Sequence, residues 1–329
     1  MRIVQVESPK FDRIRTLADQ VEISGIGLHT GKPVKLIMAP GRTGRGIEVC
    51  RPVAGHQLRR IPVRLENVLD TDHCITIGRD GVEVCTIEHV ISALAGLGIG
   101  SCEIFVDGPE FPIVDGSALP FVRLIQEAKV VCTDEERRAW EVLAPAVVSQ
   151  NGSFISAFPD KCRRISYTID FAHPVVGKDS VSLEIDERTY AREVAAARTF
   201  GFLAEVEWLR SRGLALGGRL ENAVVVGDCE LLNPPLRMPD EFVRHKILDA
   251  VGDLSILGAP LIGHVCAYKA SHRLHVSLAR QLVGAGMVRN VPYADVAGDA
   301  VLPVRRHIVH DGAFAGRADA PEFSVAAQA

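Results

Sequence analysis

The sequence predicts an α+β fold built from two units of like kind, and three observations carry that prediction. The first third reads as strands separated by turns, with two helical patterns set among them. From about residue 140 the same grammar returns. Between the two, the charged run Asp134-Glu135-Glu136-Arg137-Arg138 breaks the apolar pattern and reads as a linker. The expected divisions are 1–135, 136–303 and a tail, 304–329, of Ala, Gly, Asp and Pro that is expected to be loosely ordered. No residue-level repeat is visible between the halves, so the duplication is one of element order.

In the first unit, the apolar-rich stretch 34–38 lies between Gly31-Lys32-Pro33 and Pro40-Gly41 and reads as a strand, as does 102–106 before Asp107-Gly108-Pro109. One helix is expected after Thr86, taken as its N-cap, with Ile87, Val90, Ile91, Leu94 and Ala95 at helical spacing before Gly96 and Gly98 end it. The other follows Ser117 and carries Leu119, Val122 and Ile125. In the second unit, strands are expected over 153–158, 164–171, 180–185 and 223–226, and helices over 202–212 and 240–257. A strand ending at Tyr268 is expected to run into a donor-rich loop that contains His272.

Composition narrows the function. The chain has 329 residues, 47% of them hydrophobic, which is enough for one or two sizeable cores. Lys and Arg total 37 against 41 Asp and Glu, without a basic block, so no nucleic-acid partner is expected. No apolar run is long enough for a transmembrane helix, and Arg2, Glu7, Lys10 and Asp12 interrupt any signal-peptide core. A soluble, cytoplasmic protein is the expectation. The eight cysteines are scattered without a CxxC pair and read as reduced, small hydrophobes.

Two segments carry candidate chemistry. On the helix at 240–257, Val243, Ile247, Ala250, Val251 and Leu254 share one face, while His245 and Asp249 lie opposite, one turn apart. Alone, such a pair is more often a solvated ion pair than a set of metal ligands. Glu88-His89, at the start of the earlier helix, completes a set. His89 can bind a metal while Glu88 reaches the attacking water, although Glu88 can equally complement the helix dipole and His89 serve as buried packing. Together His89, His245 and Asp249 make a donor set of two nitrogens and one oxygen with an open position, as catalytic zinc is held. Lys246 and Asp253 flank the same face, as an anion stabiliser and a histidine partner. In the loop after Tyr268, His272 is a candidate acid and Lys269 a candidate anion binder. The glycine-rich stretch from Ser24 to Pro33 fails as a phosphate-binding loop, because Ile26 and Pro33 replace its required glycine and hydroxyl residue.

Seven pieces in order resemble one family, the zinc-dependent UDP-3-O-acyl-N-acetylglucosamine deacetylases of lipid A biosynthesis. They are Gly25-Ile26-Gly27-Leu28-His29-Thr30-Gly31, Thr86-Ile87-Glu88-His89, Pro112-Ile113-Val114-Asp115-Gly116-Ser117, Ile169-Asp170-Phe171-Ala172-His173-Pro174, Ala197-Arg198-Thr199-Phe200-Gly201-Phe202, the run from His245 to Leu254, and Lys269-Ala270-Ser271-His272. They cover roughly residues 12 to 290, nearly the whole chain.

The resemblance implies two pseudo-symmetric α+β domains, each a β-sheet layered with a helix pair, with the helices packed between the two sheets. It implies one catalytic Zn2+, with Fe2+ as the alternative ion, on His89, His245 and Asp249. By the same resemblance Glu88 is the general base, His272 the acid for the departing amine, Thr199 an oxyanion stabiliser, and Lys246 and Asp253 supporting groups. Phe171, Phe200 and Lys269 are implied substrate contacts. An inserted unit near 200–225, with Val206 and Ala215, is implied to form the acyl channel, and Arg219 stands where a smaller residue is expected. The implied partner is a small acylated UDP-sugar, acted on by a monomer. The alternatives are a deacetylase of another acylated sugar nucleotide and a non-catalytic paralogue that binds the glycolipid nucleotide.

Overall fold

Two hairpins, one helix, a central strand and a second helix make up each half of the chain, and each half carries one insertion at the same point. The computed structural model describes residues 12–53 and 57–296. The expected tail at 304–329 lies outside the described residues. In the first half, β1 (Arg13–Leu17) precedes the hairpins β2 (Val21–Ile26) with β3 (Pro33–Pro40) and β4 (Ile47–Val53) with β5 (Gln57–Pro62). The insertion is a small antiparallel sheet of β6 (Val68–Asp70), β7 (Thr76–Arg79) and β8 (Val82–Val84). Then come α1 (Glu88–Gly96), β9 (Cys102–Val106) and α2 (Leu119–Glu127).

In the second half, β10 (Val130–Glu136) and β11 (Arg138–Val142) precede the hairpins β12 (Ala146–Gln150) with β13 (Ser153–Phe158) and β14 (Arg163–Asp170) with β15 (Lys178–Glu184). A short α3 (Glu187–Thr189) continues as a π-helical turn over Tyr190–Val194. The insertion is β16 (Phe200–Phe202), α4 (Leu203–Ser211) and β17 (Val224–Val226). After it come α5 (Glu241–Leu254), β18 (Leu261–Tyr268), α6 (His272–Gly284), β19 (Val288–Pro292) and α7 (Tyr293–Val296).

Strand pairing makes the duplication explicit. The first sheet runs β2-β3-β9-β4-β5, with β9 antiparallel to β3 and parallel to β4. In the second, β18 is antiparallel to β13 and parallel to β14, with β12 and β15 outside them, which is the same order. Equivalent helices also meet, because α1 packs against α5. Buried side chains of both sheets and of α1, α2, α5 and α6 form one apolar core, which includes Leu36, Met38, Leu94, Ile165, Val251 and Leu278. The predicted α+β architecture of two like units is therefore the observed one.

Three local expectations are corrected. The charged run at 134–138 is mostly strand rather than linker, with Arg137 between two strand ends: Glu136 pairs with Arg13 on β1, and Arg138 with Pro292 on β19. Alternation allows this, since a strand can send charged side chains to solvent at every second position. Thr86 does not cap α1. It has φ +57°, and its hydroxyl donates to Glu110 Oε1 at 3.0 Å, which makes it a bend that turns the chain into the helix. His272 is the first residue of α6, not part of a loop. The polar residues His272, Arg273, Ser277 and Arg280 mask a face on which Leu274, Leu278 and Leu282 are buried. Among the described residues, no helix is long and apolar enough to cross a membrane.

Candidate active site

The crossing of α1 and α5 brings together side chains that are 156 to 160 positions apart in sequence. The helices touch at the backbone: a Cβ on Gly252 would lie 2.3 Å from the Glu88 carbonyl oxygen. One turn further along, Ser92 Oγ donates to the Leu248 carbonyl at 2.7 Å. His89 on α1 consequently faces His245 and Asp249 on α5. The imidazoles are edge to face with centroids 5.1 Å apart, and Asp249 Oδ1 is 3.3 Å from His245 Nε2 and 4.0 Å from His89 Nε2. One ligand atom from each residue falls within 4.8 Å of the others. Nearly all of α5 is buried, so His245 and Asp249 are 3% and 2% exposed and cannot be a solvated ion pair.

Hydrogen bonding fixes the state of this cluster. His245 Nδ1 lies 3.1 Å from the Ala197 carbonyl, which only accepts, so Nδ1 carries the hydrogen and Nε2 keeps its lone pair. Burial, with His245 beside it, pushes the His89 imidazole down to about 3, so that ring is neutral as well. Burial likewise pushes His245 down. Burial alone would raise the Asp249 carboxyl, but His245, Lys246, His272 and His89 outweigh it and hold it well below the carboxylate range. Lys246 Nζ donates to Asp249 Oδ2 at 2.8 Å. Two imidazole lone pairs and a carboxylate oxygen thus converge in a nearly dry site. That donor set fits a divalent cation such as zinc or iron.

Beside it lies a second group. His272 Nδ1 and His275 Nδ1 each stand 2.7 Å from Asp253 Oδ2. Burial opposes a charge on His272, but the Asp253 carboxylate prevails and raises it to about 10. Glu88 is 4% exposed and accepts the Ile75 N–H on Oε2 at 3.1 Å. Burial, then Cys74, pushes its carboxyl well above the usual range, and the charges of His272 and Asp253 reach it.

The remaining expected residues are distributed around this centre. Thr199 is half-buried and pinned on both sides: its N–H donates to Gly116 O at 2.7 Å, and its carbonyl accepts the Val224 N–H at 2.8 Å. The Phe200 ring lies 6.4 Å from His245, 4.9 Å from Phe242 and 5.8 Å from Phe171. Lys269, with φ +51°, ends β18 and holds Nζ 6.0 Å from the Tyr268 ring. Val206 and Ala215 belong to the insertion, where Val206 is half-buried and Ala215 buried. Leu203, Trp208, Leu216 and Leu220 on the same insertion remain exposed, and so does Arg219.

Sequence reasoning missed two residues. Glu110 is 1% exposed and accepts from His29 N, Thr30 N and Oγ1, and Thr86 Oγ1, at 2.7 to 3.0 Å. It ties the glycine-rich turn to the bend that leads into Glu88 and His89. Gly217 N–H also donates to Leu28 O, which docks the insertion on that turn. A lone glutamate gives no sequence signal. The other, His275, does give one: it stands three positions after His272 and shares its helix face.

A family model described as UDP-3-O-acyl N-acetylglycosamine deacetylase matches residues 14–284. Among curated proteins, the UDP-3-O-acyl-N-acetylglucosamine deacetylase of Myxococcus xanthus is 43% identical over 317 residues, covering 94% of this chain and 96% of its own. That of Anaeromyxobacter dehalogenans is 40% identical over 92% of this chain and 98% of its own. That of Geobacter sp. strain M21 is 47% identical over 82% and 88%. This chain belongs to the UDP-3-O-acyl N-acetylglycosamine deacetylase family.

Proposed function

We propose that the protein hydrolyses the acetamide of UDP-3-O-acyl-N-acetylglucosamine, releasing acetate and a free amine, as the committed step of lipid A biosynthesis. The observation that carries this reading is the convergence of His89, His245 and Asp249 beside the buried carboxyl of Glu88 and the charged His272. Family membership supports the choice of substrate.

His89 and His245 would hold a zinc ion through ring nitrogens and Asp249 through a carboxylate oxygen, with Lys246 neutralising the other oxygen. When bound, zinc supplies a Lewis acid that polarises the acetamide carbonyl. Glu88 takes a proton from the attacking water, a transfer favoured by the high proton affinity that burial gives it. A C–O bond forms, the C–N bond breaks, and His272 delivers a proton to the departing nitrogen. Asp253 holds the His272 ring through Nδ1, which leaves Nε2 for that delivery. In this reading Thr199, whose backbone is fixed by two hydrogen bonds, stabilises the oxyanion.

Phe171 and Phe200 offer an aromatic wall beside His245 for the substrate, with Lys269 for its diphosphate. Val206 and Ala215 line the acyl end in this reading. A cytoplasmic monomer in two domains, divided near residue 135, belongs to the same proposal. The test is acetate release from the acylated UDP-sugar by metal-analysed protein, before and after chelation. Turnover lost on chelation and restored by one equivalent of zinc supports the reading, and restoration by iron(II) alone changes the ion. No turnover by folded, zinc-loaded protein overturns it.

A further inference from the structure

We propose that His275 is a positively charged second partner of Asp253 and acts as a positioning residue that eases proton release from His272. The argument is one of donors and acceptors. His275 is 0% exposed, and its Nδ1 meets the same Asp253 oxygen as His272 Nδ1, each at 2.7 Å. Burial would raise the Asp253 carboxyl, but His272 and His275 hold it below its usual range, so it is ionised and only accepts. Both Nδ1 atoms therefore carry hydrogen.

On the other side of the ring, His275 Nε2 is 3.3 Å from the Tyr167 hydroxyl. That hydroxyl donates its own hydrogen to the Ala270 carbonyl at 2.6 Å, so it can only accept from His275. A neutral His275 with hydrogen on Nδ1 would set two lone pairs against each other in a fully buried place. The imidazolium gives Nε2 a hydrogen for that oxygen, so both of its ring contacts are satisfied.

Two cations on one carboxylate oxygen divide its attraction. His272 is then held less tightly in its charged form than it would be by Asp253 alone, which suits a group that must give its proton to an amine. The chain from Asp253 through His275 and Tyr167 to Ala270 also anchors the segment that enters α6 at His272. The groups facing the relay are His245, Lys246, Asp249 and Asp253 from α5, Glu88 and His89 from α1, and Tyr167 from β14. Strands β12 and β13 pack on α6 without a titratable side chain, and Glu66 of the neighbouring 3-10 turn is exposed.

The kinetic part of the test rests on the deacetylase reading, whereas the spectroscopic part does not. In zinc-loaded protein carrying 15N-labelled histidine, His275 is expected to show both ring nitrogens protonated at neutral pH. His275→Asn keeps an N–H for Asp253 but removes the charge. It is expected to lower kcat about tenfold with little change in KM, and to move the alkaline limb of the rate profile about one unit upward. A neutral His275 spectrum in the unsubstituted protein overturns the proposal whether or not the variant folds, and so does an unchanged pH profile in a folded His275→Asn. An unsubstituted protein without turnover overturns the deacetylase reading instead, and the nitrogen spectrum still decides the charge of His275.

Discussion

Gly252 and Glu88 meet backbone to backbone, so close that a Cβ at position 252 would sit 2.3 Å from the Glu88 carbonyl oxygen. That contact sets the distance between α1 and α5, and hence the spacing of His89 from His245 and Asp249. Gly252→Ala is expected to push the helices apart. Overpacking of this kind costs about 1–3 kcal/mol, and on the proposed zinc reading the displaced His89, His245 and Asp249 would hold the ion more weakly. Thermal melting and metal analysis of the purified variant check both, and a variant with unchanged melting and metal content would contradict the argument.

Glu88→Gln preserves size and an acceptor for the Ile75 N–H while removing the proposed base. The expected outcome is full zinc content with turnover reduced by roughly 10²–10⁴-fold. Steady-state acetate release, paired with metal analysis, measures it. Near-normal turnover would remove Glu88 from the mechanism.

Asp249→Asn takes away the only carboxylate of the donor set and the counter-charge of Lys246. Zinc affinity is expected to fall by at least ~100-fold, with the Lys246 ammonium left nearby and opposing the ion. Competition with a chromophoric chelator gives the number. Affinity equal to that of the unsubstituted protein would place the metal elsewhere.

Glu241 is wholly buried at the start of α5 and accepts from Arg198 N, Nε and Nη2 and from Arg237 N. Burial would raise its carboxyl, but Arg198 outweighs it and holds it below 4.5. A depressed carboxylate contributes stability that is whole above its ordinary 4.5 and is lost as pH falls below it. Melting temperature should therefore drop on acidification through that range. Glu241→Gln should flatten the drop and cost about 3–5 kcal/mol, because Arg198 is left buried without its charge partner. Melts from neutral to acid pH, compared between the two proteins, test the sign.

The sequence alone determined what is local. Helical spacing placed α1, α2, α4 and α5 within a few residues, and alternating or apolar runs placed β3, β9 and β13 to β15. The spacing of His245 and Asp249 on one helix could be read without a fold, because two residues one turn apart share a face in any α-helix. Tertiary structure decided everything that depends on a distant partner. Glu136 and Arg138, on either side of Arg137, became strand ends because β1 and β19 lie beside them, and Thr86 became a bend because Glu110 takes its hydroxyl. Local pattern allowed His245 and Asp249 to be a solvated pair, and packing of α5 against α1 and the second sheet excluded that. Likewise, the Asp253 oxygen that joins His272 to His275 comes from another helix, about twenty residues earlier in the chain. Local spacing encodes which side chains share a face, but the charge and the hydrogens those side chains carry are fixed by the buried groups that folding brings against them.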